Sequence, residues 1–177
     1  STNSYNYALF ISGGSTLKLD GSSISEVDQT GESWFDRTWG VTGVAVIGPG
    51  QNAGYVTTLA VTDTTIETRG FAIAGNGNET SYGTSITLGQ GTVINTVYAA
   101  VYHPHEGELI VDGASITGRT GIEIRAGSLE IREGSSVTST GHFTSTPNGS
   151  GVTTIGAAVA VVQHTTKQPI DVTITGG

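Results

Sequence analysis

Two of the four histidines in this 177-residue chain stand one residue apart, in the segment Tyr102-His103-Pro104-His105-Glu106-Gly107. Alternate residues of a strand share a face, so His103 and His105 would project together. Paired imidazoles can ligate a metal when neutral, or exchange protons with a substrate when they titrate near neutrality. Glu123 and Arg125, twenty residues further along, repeat the same alternation, and Glu106 adds a carboxylate beside the histidines. A second candidate is Glu32-Ser33-Trp34-Phe35-Asp36-Arg37-Thr38-Trp39, which holds both tryptophans of the chain. Sugars stack their C–H faces on aromatic rings and hydrogen-bond planar polar groups. Trp34, Phe35, Asp36, Arg37 and Trp39 supply both kinds of contact, although the same aromatics would equally serve to anchor a long loop on the fold.

Which groups meet depends on the elements that carry them, and the chain is repetitive. The segments STLKLDGSSIS, TTLAVTDTTIE, TSITLGQGTVI, GELIVDGASIT, GSLEIREGSSVT and QPIDVTITGG each open on an apolar-any-apolar triplet: Leu17 and Leu19, Leu59 and Val61, Ile86 and Leu88, Leu109 and Val111, Leu129 and Ile131, Ile170 and Val172. A further β-branched residue follows seven positions later at Ile24, Ile66, Val93 and Ile116, and slips by one to Val137. A shorter strand precedes each copy: ALFIS, GVAVIG, GFAIAG, AAVYHP, GIEIRAG and AAVAVVQ. The openings are 42, 27, 23, 20 and 41 residues apart (17 to 59, 86, 109, 129 and 170). A spacing as short as 20 excludes propeller blades and suits one turn of a solenoid of short strands, the longer spacings being that turn plus insertions. Stacked at about 4.8 Å, such turns share one core of Ile, Val and Leu, and Lys18, Glu130 and Arg132 face water.

Over essentially the whole chain this pattern resembles the right-handed parallel β-helix of the pectin-lyase-like superfamily. The expected fold is therefore all-β: a single domain over residues 1–177, a solenoid of about six coils with inserted loops. EGELIVDGASITGRTGIEIRAGSLEIREGS is similar to repeats of the cell-wall-anchored surface adhesins of Gram-positive bacteria. That resemblance implies a secreted, surface-displayed module, anchored to the cell wall through regions outside this chain, that binds a glycan or a host or matrix protein. Enzymes of the superfamily imply the alternative of a polysaccharide lyase or hydrolase. Calcium-binding carboxylates with a basic proton abstractor serve the lyases, and aspartates with an Arg-Ile-Lys element serve the hydrolases. No Asp-Asp pair and no Arg-Ile-Lys occurs here, and Asp20, Asp28, Asp36, Asp63, Asp112 and Asp171 are scattered. A structural stalk that binds nothing is the third reading.

Composition narrows the partners. A net charge of -8 with seven Lys plus Arg disfavours nucleic acid and anionic membrane surfaces. No apolar run is long enough to span a bilayer, and there is no thiol for a disulfide, a metal or a nucleophile. The expectation is a monomer without cofactor. The lack of an initiator Met and the ending in mid-pattern suggest a piece of a longer surface protein. Ala74-Gly83 and Thr138-Gly156 read as polar, mobile insertions, the second with only His142 and Phe143 as bulky anchors.

Applied to the histidines, the 20-residue spacing sets Tyr102 over Ile122, His103 over Glu123, Pro104 over Ile124 and His105 over Arg125. His103, His105, Glu123 and Arg125 would then form one outward patch with Glu106 at its corner, which suits contact with a partner better than catalysis or metal binding. Tyr102 and Pro104 would point inward.

Overall fold

The computed structural model describes residues 6–26, 41–50, 53–76, 82–146 and 151–176, and all regular structure in them is β. In chain order the strands are β1 (Tyr7–Ile11), β2 (Thr16–Asp20), β3 (Ser23–Ser25), β4 (Thr42–Val46), β5 (Thr57–Thr62), β6 (Thr65–Thr68), β7 (Ile73–Ala74), β8 (Thr84–Leu88), β9 (Val93–Thr96), β10 (Ala99–His103), β11 (Gly107–Val111), β12 (Ser115–Gly118), β13 (Thr120–Ile124), β14 (Gly127–Ile131), β15 (Ser136–Ser139), β16 (Thr144–Ser145), β17 (Thr154–Ile155), β18 (Val159–Val161) and β19 (Ile170–Ile174). They form three parallel sheets: β1-β4-β7-β10-β13-β18, β2-β5-β8-β11-β14-β19 and β3-β6-β9-β12-β15. The chain visits the first, second and third sheet in turn and then starts again, the path of a β-helix solenoid. The antiparallel pair β16–β17 belongs to an insertion in that cycle.

Pairing is in register, and that register builds the core. In the second sheet Leu17, Leu59, Ile86, Leu109, Leu129 and Val172 form one column, and Leu19, Val61, Leu88, Val111, Ile131 and Ile174 another. The last rung departs from expectation, since Val172 rather than Ile170 pairs with Leu129. The third sheet contributes Ile24, Ile66, Ile94, Ile116 and Val137. Here Ile94 replaces the expected Val93, which pairs with Ser115 on the outer face. Both this rung and that of Val137 have a turn one residue longer than the one between Val111 and Ser115. The extra residue is absorbed beside Gly91 and Gly134, whose φ angles of 72° and 82° suit glycine.

Each turn from the second to the third sheet would bury backbone carbonyls, and hydroxyls take them up. Thr64 donates to the Thr62 carbonyl (2.7 Å), Thr92 to that of Val61 (3.1 Å) and Ser135 to that of Val111 (3.0 Å). The bonds from Thr92 and Ser135 are buried, so they satisfy acceptors that water cannot reach.

Leu109 lies between Ile86 and Leu129 with no exposure, so Leu109→Ala leaves a cavity that the rungs above and below cannot close. A loss of about 2–5 kcal/mol is expected for Leu109→Ala, against about 0.5 kcal/mol or less for the outward Lys18→Ala. Urea midpoints followed by circular dichroism check both values.

Candidate functional site

In the structure the histidine segment divides into two sites on opposite faces of the first sheet. The register there is Val101 with Ile122, Tyr102 with Glu123 and His103 with Ile124. This is one residue away from the expected pairing, although β11 and β14 keep the 20-residue spacing. The cause is turn length: residues 104–106 link β10 to β11, whereas residues 125 and 126 alone link β13 to β14. A one-residue shift exchanges the faces of a strand. His103 therefore points inward, in line with the core residue Ile124, and Tyr102 and Glu123 lie on the outer side.

Both imidazoles are sealed inside. His103 is 1% exposed and His105 0%, with ring centroids 4.7 Å apart. Nδ1–H of His103 donates to the Ala126 carbonyl (3.0 Å), and Nδ1 of His105 lies 3.2 Å from the hydroxyl of buried Thr84. The His105 ring packs over Gly75, where a Cβ would overlap it. Burial, reinforced by the neighbouring imidazole, pushes His103 down to about 3, and burial pushes His105 down to about 4. At neutral pH both are uncharged, and neither can act on a substrate in solution.

Glu123 and Arg125 are also wholly buried, although Glu123 sits on the outer side of its sheet. The segment running into β17 lies over it. Both Glu123 oxygens accept the Thr153 N–H (2.9 and 3.1 Å), Oε1 accepts the Thr153 hydroxyl (3.0 Å), and Oε2 accepts the Thr154 N–H (3.0 Å). Arg125 Nε stands 3.8 Å from Glu123, while the guanidinium donates to the carbonyls of Gly151 (2.6 Å), Gln163 (3.0 Å) and Val162 (3.4 Å). Phe71, Tyr98 and Tyr102 cover the same face, with Phe71 5.2 Å from Tyr98 and 5.7 Å from Tyr102, and Val152 packs on them. Burial raises the phenols of both tyrosines above their ordinary range, more than nearby Arg125 lowers that of Tyr102.

The structure thus brings His103 to His105 and Glu123 to Arg125, but it does not assemble the expected outward patch of four. Glu106 alone of the group is exposed at the corner. The insertion after β15 is anchored by the polar clamp on Glu123, while His142 and Phe143, the expected anchors, are exposed, Phe143 to 71%. Trp34, Phe35, Asp36, Arg37 and Trp39 lie outside the described residues. Among the described residues no group of three or more His, Asp or Glu could hold a metal ion. Sequence reasoning missed the clamp, whose Thr153 and Thr154 carry no motif, and also an acidic recess beside β3, β6 and β9. An alignment of the repeats held the signal for the recess, because Ser25, Glu67 and Asn95 occupy one outward position. Comparisons of this chain with family models, curated proteins and solved structures found no match.

Two outcomes test this arrangement. An unfolded histidine takes up protons below pH 6.5, where the folded pair stays neutral. Stability is therefore complete above about pH 6.5 and falls as the pH drops towards 4, by up to about 1.4 kcal/mol per pH unit for each histidine. Urea titrations across that range should show the slope, and His103→Val, which matches the apolar column, should make it shallower by the share of one buried histidine. Glu123→Ala leaves buried donors and a buried guanidinium without their carboxylate. It should cost about 3–5 kcal/mol and abolish hydrogen-exchange protection at Thr153 and Thr154, whereas Glu106→Ala should change stability by about 0.5 kcal/mol or less.

Proposed function

We propose that this chain is a recognition module of the right-handed parallel β-helix class, displayed on a bacterial surface like the adhesins its repeats resemble, that binds a glycan or a host or matrix protein without chemistry. The observation that carries this reading is the commitment of Glu123 and Arg125. Every lone pair that Glu123 directs at its surroundings meets a donor of the Thr153–Thr154 segment, and Arg125 spends its donors on backbone carbonyls. A lyase or hydrolase needs a carboxylate or base that meets substrate, and these groups meet only protein.

What the solenoid offers a partner is a rigid, ordered exterior. On the second sheet Thr58, Ser85, Glu108 and Ser128 stand in one outward row, and Ser85 donates to Glu108 (2.6 Å). Side chains held on in-register strands lose little freedom when a ligand docks, which favours binding by preorganised contact. The aromatic segment Trp34–Trp39 adds, on sequence grounds, stacking groups suited to sugars.

Glycan and matrix-protein arrays probed with the purified domain test the reading. Binding to at least one class is expected, and Trp39→Ala should weaken glycan binding about tenfold, equivalent to about 1.4 kcal/mol. Blank arrays of both kinds would leave the stalk as the surviving reading. Depolymerisation of an acidic polysaccharide, lost in Arg125→Lys, would favour the enzyme.

A further inference from the structure

Glu123 and Arg125 are wholly buried, and a pair of that kind adds little net stability but fixes the position of what it holds. What it holds is the hairpin β16–β17. Glu123 takes the N–H groups of Thr153 and Thr154, the Thr154 carbonyl accepts the Thr120 hydroxyl (2.6 Å), and the Gly156 N–H donates to the Arg119 carbonyl (2.9 Å). The Thr146 N–H in turn donates to the Thr153 carbonyl (2.9 Å), so the first strand is carried along with the second. At the base Gly156, with φ of 82°, lets the backbone of His142 and Phe143 come so near that a Cβ would overlap it. The hairpin is therefore held as firmly as the sheet it lies on.

What it presents outward is aromatic and free of acid. Phe143 is 71% exposed, and His142, Thr144, Ser145 and Thr146 around it are exposed too. Arg119, whose carbonyl also accepts the Ser139 hydroxyl (2.8 Å), is exposed and has no ion pair among the described residues. The chain carries a net charge of -8, yet it has no Asp or Glu from Gly134 to Ile170, and the Glu123 carboxylate beneath the hairpin is buried beside Arg125. The surface here is locally positive on an acidic protein. Aromatic residues and Arg are the usual anchors of protein interfaces, and a ring that stands out from a fixed hairpin suits a pocket in its partner. Fixing the ring in advance lowers the ordering cost of docking.

We propose that Phe143 and Arg119 anchor a protein-docking surface, Phe143 entering an apolar pocket of a matrix protein while Arg119 pairs with carboxylates at the rim of that pocket. The proposal rests on the recognition-module reading and gives it a partner class and a place.

Biolayer interferometry of the purified domain over immobilised fibronectin, fibrinogen, laminin and collagen tests it, with heparin and neutral oligosaccharides as further probes. Binding to at least one matrix protein is expected, and Phe143→Ala and Arg119→Glu should each weaken it by about tenfold or more at unchanged melting temperature. Phe10→Ala, at a residue 57% exposed on β1, should leave it unchanged. Matrix-protein binding that neither variant weakens would overturn the surface and leave the module reading intact, and so would binding to neutral oligosaccharides alone. Binding to heparin but to no matrix protein, lost in Arg119→Glu, would overturn the protein partner in favour of an acidic glycan. Silence of every probe would overturn the surface and the module reading together. Self-association in sedimentation velocity, lost in Phe143→Ala while no matrix protein binds, would make a second copy of this chain the occupant instead.

Discussion

In-register stacking of parallel strands is the constraint on which everything else in this chain depends. No single turn of so short a sequence can bury its own apolar face, so each Leu, Ile or Val is useful only with an apolar neighbour directly above and below it. The columns through Leu59, Leu109 and Ile116 satisfy that condition, and they dictate what the corners do. Turns from the second to the third sheet stay short, and Thr92 and Ser135 place inward hydroxyls on the carbonyls of Val61 and Val111, which the neighbouring rungs seal. The passage from the third sheet back to the first is free to vary: β12 reaches β13 across one residue, whereas the stretches from β3 to β4 and from β15 to β18 are long.

Charges buried at Glu123 and Arg125 follow from that freedom. A polar insertion that returns across the outer face of the first sheet must either stay hydrated or find partners for its amides. Glu123 solves the problem for Thr153 and Thr154, and Arg125 does the same for the carbonyls of Gly151, Val162 and Gln163. A pair like this adds little net stability compared with apolar packing, but once one partner is removed the other becomes costly. Its value lies in fixing where the insertion sits, so the residues that look most reactive in the sequence serve as a fastening.

The apolar triplets and their irregular spacing made the parallel sheets legible, because a column residue is recognisable by type alone. Phase was less legible. The 20-residue spacing holds in the second sheet and fails by one in the first, since residues 104–106 make a longer turn than residues 125 and 126, and nothing in a turn's composition states on which side an extra residue is taken up. That single residue moved His103 from the expected outer face into the core and separated it from Glu123. Val93 and Ile94 are a second case, where two adjacent β-branched residues both fit the pattern and only the length of the preceding turn decides between them. The clamp was invisible for a different reason: its donors are backbone amides, which every sequence has.

Two features that a fold-level reading could not supply, the insertion fastened on the first sheet and the acidic recess, both begin where strands of the third sheet end. Elsewhere a substitution must respect two neighbouring rungs at once, so the surface of each sheet is tied to the register beneath it. At this edge the chain leaves the stack, and its side chains answer to fewer neighbours. A solenoid that carries a specific contact has most room to build it there, on walls held rigid by the in-register strands that end beside it.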